Sequence, residues 1–189
     1  MPMRRLAVVF FLISIAVEGP ARAQVVESAN IRQLTITAGG FGSAFNPHDS
    51  GNAFYVSDSS YLVGLGTYVD VHFSRWLQVE AEARWLRFNG YGGEYQDHYL
   101  IGPRLPIHQF GRANAYGKVL IGLGKMTFPS NYGYGSFTAL AYGGGIDYRM
   151  SPRLTLRAVD FEFQQWPNWL PGSSLYPYGL SVGLGYRIF

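Results

Sequence analysis

His48 and Ser50 are the residues best suited by type and spacing to do chemistry, because they lie two positions apart and could share one side of an extended segment. An imidazole beside a hydroxyl can act as the base that activates a serine nucleophile. However, Asn46-Pro47 and Gly51-Asn52 flank the pair and indicate a turn-rich loop, and no carboxylate is evidently placed to orient His48. We therefore predict a polar loop here and no catalytic residue.

No other group of residues has the spacing of a metal or cofactor site. The four histidines match no compact ligand pattern, and we expect them in loops or in an interior: His48, His72, His98 and His108. Two Gly-Leu-Gly fragments, at 64–66 and 122–124, lack the following helix that a nucleotide-binding loop needs. The chain contains no cysteine, so it has neither disulfides nor a thiolate site. The sequence predicts no enzyme activity and no cofactor.

The remaining candidates are charged residues that recur on one face of alternating segments. Between Leu77 and Trp85, apolar residues alternate with Gln78, Glu80 and other polar residues at the period of two that a β-strand requires. The apolar face persists in segment after segment, so we expect the polar face inside a barrel, with opposite charges paired. Summed over the chain, this face holds six acids and six bases: Asp70, Glu80, Glu82, Asp147, Asp160 and Glu162, and Arg84, Arg104, Lys118, Arg149, Arg157 and Arg187.

The first 23 residues have the pattern of an export signal. Arg4 and Arg5 precede an apolar run of 12 residues, and Ala21-Arg22-Ala23 supplies the small residues that a signal peptidase reads. A membrane-spanning helix would need about 20 apolar residues. We predict a cleaved signal peptide over 1–23 and one exported domain over 24–189. The formal charge of +3 falls to +1 without the leader, which gives no indication of nucleic-acid binding.

Eight alternating segments predict an all-β fold, an eight-stranded antiparallel up-and-down transmembrane barrel. They cover 33–45, 61–73, 76–88, 99–110, 115–128, 137–150, 154–166 and 176–189. Their connections alternate between tight turns and the longer loops 46–60, 89–98, 129–136 and 167–175, as expected for periplasmic turns and external loops.

The seventh segment breaks the alternation, because Phe161 and Phe163 are one position out of phase with the apolar residues before them. We predict a β-bulge at Ala158-Val159, which would restore the phase. Many glycines fall on the inner face of the segments, where we expect them to make room for the long arginine side chains.

Residues 143–154, a strand, a short turn and the start of the next strand, and more loosely residues 69–77, carry a family resemblance. The chain resembles the OmpA-like family of small outer-membrane β-barrels, in its eight-stranded single-domain form. The resemblance implies residence in the outer membrane of a Gram-negative-type bacterium and assembly by periplasmic chaperones and the barrel-assembly machinery. That machinery reads a terminal aromatic residue such as Phe189, although here Phe189 is out of phase with Ile188 and the apolar residues before it.

These observations predict a monomeric barrel in outer-membrane lipid, with a structural or surface-interaction role and a lumen plugged by ion pairs. A narrow, low-conductance pore for small solutes is the alternative, and a lipid A-modifying hydrolase that uses His48 and Ser50 ranks third. Exposed aromatics could bind sugars or protein, or form the girdle at the membrane boundary, which is the interpretation we favour: Tyr91, Tyr95, Tyr132, Tyr134, Trp166 and Trp169.

Overall fold

The computed structural model of the chain describes residues 34–47, 61–74, 76–128, 130, 133–170 and 173–188. The described strands are β1 (Thr35–Asn46), β2 (Leu62–His72), β3 (Gln78–Phe88), β4 (Tyr95–Phe110), β5 (Ala113–Thr127), β6 (Tyr134–Arg149), β7 (Leu154–Leu170), β8 (Ser173–Leu175) and β9 (Tyr178–Arg187). A short 3₁₀ turn, Tyr91–Gly93, precedes β4. Within these residues, no helix is both long enough and apolar enough to span a membrane.

Eight of the strands form a closed antiparallel barrel. Their order is β6-β5-β4-β3-β2-β1-β9-β7, and β6 also pairs with β7, so the sheet returns on itself. The first and last barrel strands are neighbours, with Thr37 opposite Arg187 and Asn46 opposite Tyr178. The short β8 pairs with the end of β7. The predicted eight-stranded architecture is confirmed.

Tight turns lie at one end of the barrel, which we call the turn end, and the longer connections lie at the other, the loop end. Ser74 closes the β2–β3 turn, where its Oγ accepts hydrogen bonds from the backbone N–H groups of Trp76 and Leu77 at 3.2 and 3.0 Å. Ser151 does the same for Leu154 in the β6–β7 turn, at 3.0 Å. By the usual asymmetry of such barrels, the turn end faces the periplasm.

Alternation along each strand places apolar side chains on the outer face. In β2, Leu65 and Val69 are exposed on the outer face, whereas Tyr68 and Asp70, on either side of Val69, are buried in the lumen. The same pattern recurs in β5 and β9, where the outward residues are half exposed or close to it: Val119, Ile121, Leu123, Leu180, Val182 and Leu184. A hydrocarbon environment solvates this belt, which would be unfavourable in water.

The predicted bulge in β7 is confirmed. Ile146 and Asp147 are consecutive on β6, yet they pair with Val159 and Arg157, which leaves Ala158 as an extra residue. The pairing of β7 with β9 shifts at the same place. The extra residue keeps the following aromatics outside and the following acids inside: Phe161 and Phe163, and Asp160 and Glu162.

Several inward glycines make room for aromatic rings rather than for the arginines that we expected. A Cβ at Gly66 would overlap the Phe41 ring, and a Cβ at Gly124 would overlap the indole of Trp166. At Gly143 the nearest side-chain atom to such a Cβ is Lys118 Cε at 3.2 Å, and at Gly64 and Gly122 the Cβ would meet only the backbone of the neighbouring strand.

Three strands extend further toward the loop end than we predicted. β4 begins at Tyr95 instead of 99, β6 begins at Tyr134 instead of 137, and β7 continues to Leu170 instead of 166. The residues added to β4 and β6 include no aliphatic side chain, and those added to β7 begin at a proline, so none shows the apolar alternation on which the prediction relied. Their inward side chains, including Gln96 and His98, prove to be part of the lumen.

Candidate functional site in the barrel lumen

Lys118 lies at the centre of the lumen and contacts carboxylates from two other strands. Its Nζ is 3.1 Å from Glu80 and 3.0 Å from Glu82 on β3, and 2.8 Å from Asp160 and 3.0 Å from Glu162 on β7. All five side chains are essentially inaccessible to solvent. The small cross-section of an eight-stranded barrel brings β3, β5 and β7 within reach of one ammonium group.

Three of these carboxylates could in principle hold a metal ion. One oxygen each of Glu80, Glu82 and Asp160 lies within 4.8 Å of the others. The Lys118 ammonium group binds all three, however, and supplies the positive charge that such a cluster requires. The donor set is therefore matched to a lysine side chain.

Arg84 links this cluster to the loop end of the lumen. Its guanidinium group donates to Glu162 at 2.8 Å and to Glu82 at 3.0 Å. It also lies over the ring of Phe45, 4.2 Å from the centroid, and within 5.3 Å of the Phe41 centroid. Arg84 is thus held by two carboxylates and two aromatic faces at once.

Arg104 and Arg157 extend the cluster toward the turn end. Arg157 is 2.8 Å from Glu80 and 3.3 Å from Asp70, and Arg104 donates to Asp70 at 2.5 Å and to Asp147. Both guanidinium groups stack on tyrosines. The centroid distances are 3.6 Å for Arg104 on Tyr116 and 3.7 Å for Arg157 on Tyr68.

The structure brings together ten of the twelve charged residues that the sequence singled out, in one network of six acids and four bases. The remaining two, Arg149 and Arg187, lie at the turn end, are exposed, and have no carboxylate within ion-pair distance among the described residues. They share the inner register of their strands, but each is the last strand residue, where the barrel opens to solvent. The expected balance of six acids and six bases is therefore not present in the interior.

A second polar layer, absent from our sequence prediction, lies between the ion pairs and the loop end. Trp166 Nε1 donates to Gln164 Oε1 at 2.7 Å, which directs the Gln164 amide N–H groups to Glu162 and to His98 Nδ1, at 2.6 and 2.9 Å. The His98 ring packs edge-on between Phe45 and Trp166, with both centroid distances 5.5 Å. Gln164 and Trp166 continue the inward register of Glu162, and that alternation was the signal that could have identified them.

We assigned Trp166 to the aromatic girdle at the membrane boundary. That assignment is wrong, because Trp166 is fully buried inside the barrel. It is the largest member of an apolar cluster that seals the loop end together with the side chains of neighbouring strands: Leu100, Leu120, Met126, Ala139, Ala141 and Leu175. A smaller cluster of Phe45, Leu62 and Leu86 completes this layer on the other side of the lumen.

Several predicted features fall outside the described residues: His48, Ser50, Tyr132, Phe189 and the leader. Of the other candidate aromatics, Tyr134 is 90% exposed at the loop end. Tyr95 lies under the guanidinium group of Arg87, 4.0 Å from its ring centroid, and Arg87 also pairs with Asp97 at 2.7 Å.

Comparison with known proteins agrees with this architecture. The chain matches the family model for the outer membrane protein beta-barrel domain over residues 9–187. No curated protein matches its sequence. Neisserial surface protein A superposes with a TM-score of 0.61 at 9% identity, over 81% of this chain and 96% of that one.

Two further solved structures align less closely. The N-terminal β-barrel domain of Pseudomonas aeruginosa OprF has a TM-score of 0.49 at 12% identity, with 80% of this chain and 96% of that chain covered. Ail, the attachment invasion locus protein of Yersinia pestis, has a TM-score of 0.47 at 21% identity, with 82% and 97% covered. From the family match and the closed eight-stranded fold, this chain belongs to the outer-membrane β-barrel family, in its small OmpA-like form, and is a protein of the Gram-negative outer membrane.

Proposed function

We propose that this protein is a non-conducting barrel with a structural or surface-interaction role in the outer membrane. The observation that carries the proposal is the filling of the lumen by two successive layers. Ten charged side chains cross the middle of the barrel, and an apolar layer around Trp166 and Phe45 covers them toward the loop end.

The charged layer favours a static plug over a gate. Each of its bases contacts two or more carboxylates from different strands, so moving one side chain would leave other buried charges unpaired. Removing one partner from a buried pair costs about 3–5 kcal/mol. The barrel therefore presents its loop end, including the exposed Tyr134, as the part that can meet other molecules.

Conductance in planar lipid bilayers tests the proposal. The refolded native chain, with insertion verified by protease protection, should give no discrete current steps across a range of voltages. A Lys118→Ala/Trp166→Ala variant shortens the central base of the charged layer and removes the largest ring of the apolar layer. It should conduct more than a matched Lys125→Ala/Trp76→Ala variant, whose two side chains are exposed outside the lumen. Discrete steps from the native chain would overturn the proposal.

A narrow pore is the second candidate, because a cavity of about 500 Å³ enters the barrel from the turn end. Only the charged and apolar layers would then have to open. Discrete current steps from the native chain, with insertion verified, would support this alternative.

We also propose that the protein is a monomer in outer-membrane lipid. Its leader directs export, and periplasmic chaperones and the barrel-assembly machinery assemble it. Support comes from the belt of outward apolar residues and from the adjacency of the first and last barrel strands. Deleting Phe189, the terminal aromatic, should lower the amount of barrel in the outer membrane, whereas an unchanged amount would argue against that signal.

A further inference from the structure

The cavity at the turn end is polar and is built by all eight barrel strands. Its volume of about 500 Å³ is within the range of small-molecule pockets, roughly 300–1,000 Å³. The lining includes His72 from β2, Gln78 from β3, Asn114 from β5 and Thr155 from β7. Because the lining side chains share the inner register of the barrel, the cavity opens to the periplasmic solution and not to lipid.

Three arginines line this cavity without a carboxylate partner. Arg149 and Arg187 end β6 and β9, and Arg112 lies in the β4–β5 turn. Arg149 and Arg112 are held side by side by a backbone hydrogen bond, from Arg149 N–H to Arg112 C=O, at 2.9 Å. Within the described part of the chain, none of the three side chains forms an ion pair. Three like charges around one opening attract an anion.

Carboxylates lie deeper in the same cavity, but other cations already engage them. Asp70 and Asp147 both bind Arg104, which closes the inner wall. Asp147 Oδ1 is closed to solvent and lies 3.8 Å from Arg157 Nε, so it does not face the cavity. The cavity therefore combines a cationic rim with neutral polar side chains, including Gln78, Asn114 and Thr155.

We propose that this cavity is a binding site for a small phosphorylated molecule that also carries hydroxyl groups, of the sugar-phosphate class. Guanidinium groups match the geometry of phosphate oxygens and can bind them through paired hydrogen bonds. The phosphate lies at the rim beside Arg149, Arg187 and Arg112, and the hydroxyl groups point inward to the neutral polar side chains that line the cavity. The ligand reaches the site from the periplasm. This binding is independent of whether the lumen conducts.

Isothermal titration calorimetry on the refolded full chain in non-ionic detergent tests the site, with glucose 6-phosphate as the probe at constant ionic strength. We expect saturable binding of glucose 6-phosphate and no binding of glucose. The Arg149→Gln/Arg187→Gln variant should bind about tenfold more weakly or worse, because each lost arginine removes a charge-assisted hydrogen bond. Arg153→Gln is the control. Arg153 is exposed in the β6–β7 turn and lies outside the cavity, so its substitution removes one positive charge from the same end of the barrel and leaves the lining of the cavity intact.

The proposal is overturned if the native chain does not bind glucose 6-phosphate at millimolar concentrations, or if Arg153→Gln weakens binding as much as the double variant does. Should the double variant fail to refold, Arg112→Gln in the turn provides the second test, with weakened binding expected. The bilayer measurement of conductance stays separate, so failure of this site does not affect the plugged-lumen proposal.

Discussion

At the scale of single residues, Lys118 has four carboxylates from β3 and β7 within 3.1 Å of its ammonium group. Lys118→Met keeps much of the side-chain volume but leaves those acids facing one another without the cation. We expect the free energy of unfolding to fall by about 3–5 kcal/mol, measured by urea unfolding in detergent micelles. Lys125→Met is the control, because Lys125 lies exposed on the outer face of the same strand.

A second substitution should partly restore the stability of the Lys118→Met variant. Neutralising one acid in the variant, with Glu82→Gln, should restore part of the lost stability, since it removes the repulsion that the lysine had offset. If Lys118→Met unfolds at the same urea concentration as Lys125→Met, the network contributes little to stability.

Gly66 tests a different residue-scale feature, the close approach of a ring to the barrel wall. A Cβ at Gly66 would overlap the Phe41 ring and lie 2.7 Å from the Ala83 carbonyl oxygen, so moving the ring alone would not relieve the contact. We expect Gly66→Ala to destabilise the barrel by about 1–3 kcal/mol in urea unfolding. Gly42→Ala on the outer face of β1, where a Cβ meets nothing within 4 Å, should cause no loss. Equal stability of the two variants would contradict the packing that we describe.

At the scale of elements, the period-two alternation was sufficient to predict every barrel strand and the bulge in β7, because lipid and lumen impose opposite demands on the two faces. It was not sufficient to predict the loop-end layer. Gln96 and His98 lie among other polar residues, so no apolar face marks this part of β4 as membrane-spanning. Gln164 lies inside the predicted seventh segment, but it is uncharged and was not singled out. Trp166 was assigned outward because a tryptophan near a strand end is as typical of the membrane boundary as of a sealed lumen.

The bulge itself makes an element-scale prediction. Deleting Ala158 removes the extra residue and moves the rest of β7 by one position, which would turn Asp160, Glu162 and Gln164 toward lipid. Charged groups on the lipid face are destabilising, by about 2–4 kcal/mol for Arg or Lys near the bilayer midplane and by less for Asp or Glu. Asp160 and Glu162 would also leave Lys118 without two of its four carboxylate partners. We expect the deletion variant to lose the heat-modifiable electrophoretic mobility of a folded barrel.

Ala158→Val keeps the chain length and serves as the control, with normal folding expected. A deletion variant that folds as well as this control would show that the register of β7 does not depend on the bulge.

At the scale of the whole molecule, the lumen is asymmetric along the barrel axis. Apolar side chains seal the loop end, ion pairs fill the middle, and a cavity rimmed by arginines occupies the turn end. Polar side chains at the turn end of the strands are in contact with solvent. Polar side chains toward the loop end are instead covered by Trp166 and its neighbours. This closed layer is possible only if the first and last strands meet.

That closure can be tested directly, because β1 and β9 pair with Ser43 opposite Ser181 and their hydroxyl oxygens are 2.7 Å apart inside the lumen. The native chain has no cysteine, so Ser43→Cys/Ser181→Cys introduces a single possible disulfide. We expect it to form in the folded barrel after mild oxidation, since facing side chains at this separation match disulfide geometry. The crosslink would join residues 138 positions apart, so the oxidised chain, once unfolded, should migrate faster in non-reducing electrophoresis than the reduced chain.

A Ser43→Cys/Ser136→Cys pair is the control, because Ser136 lies on β6, which is not a neighbour of β1. Closure requires the fast-migrating form in the first pair and its absence in the second; an open sheet, with β1 and β9 apart, would give no shift in either.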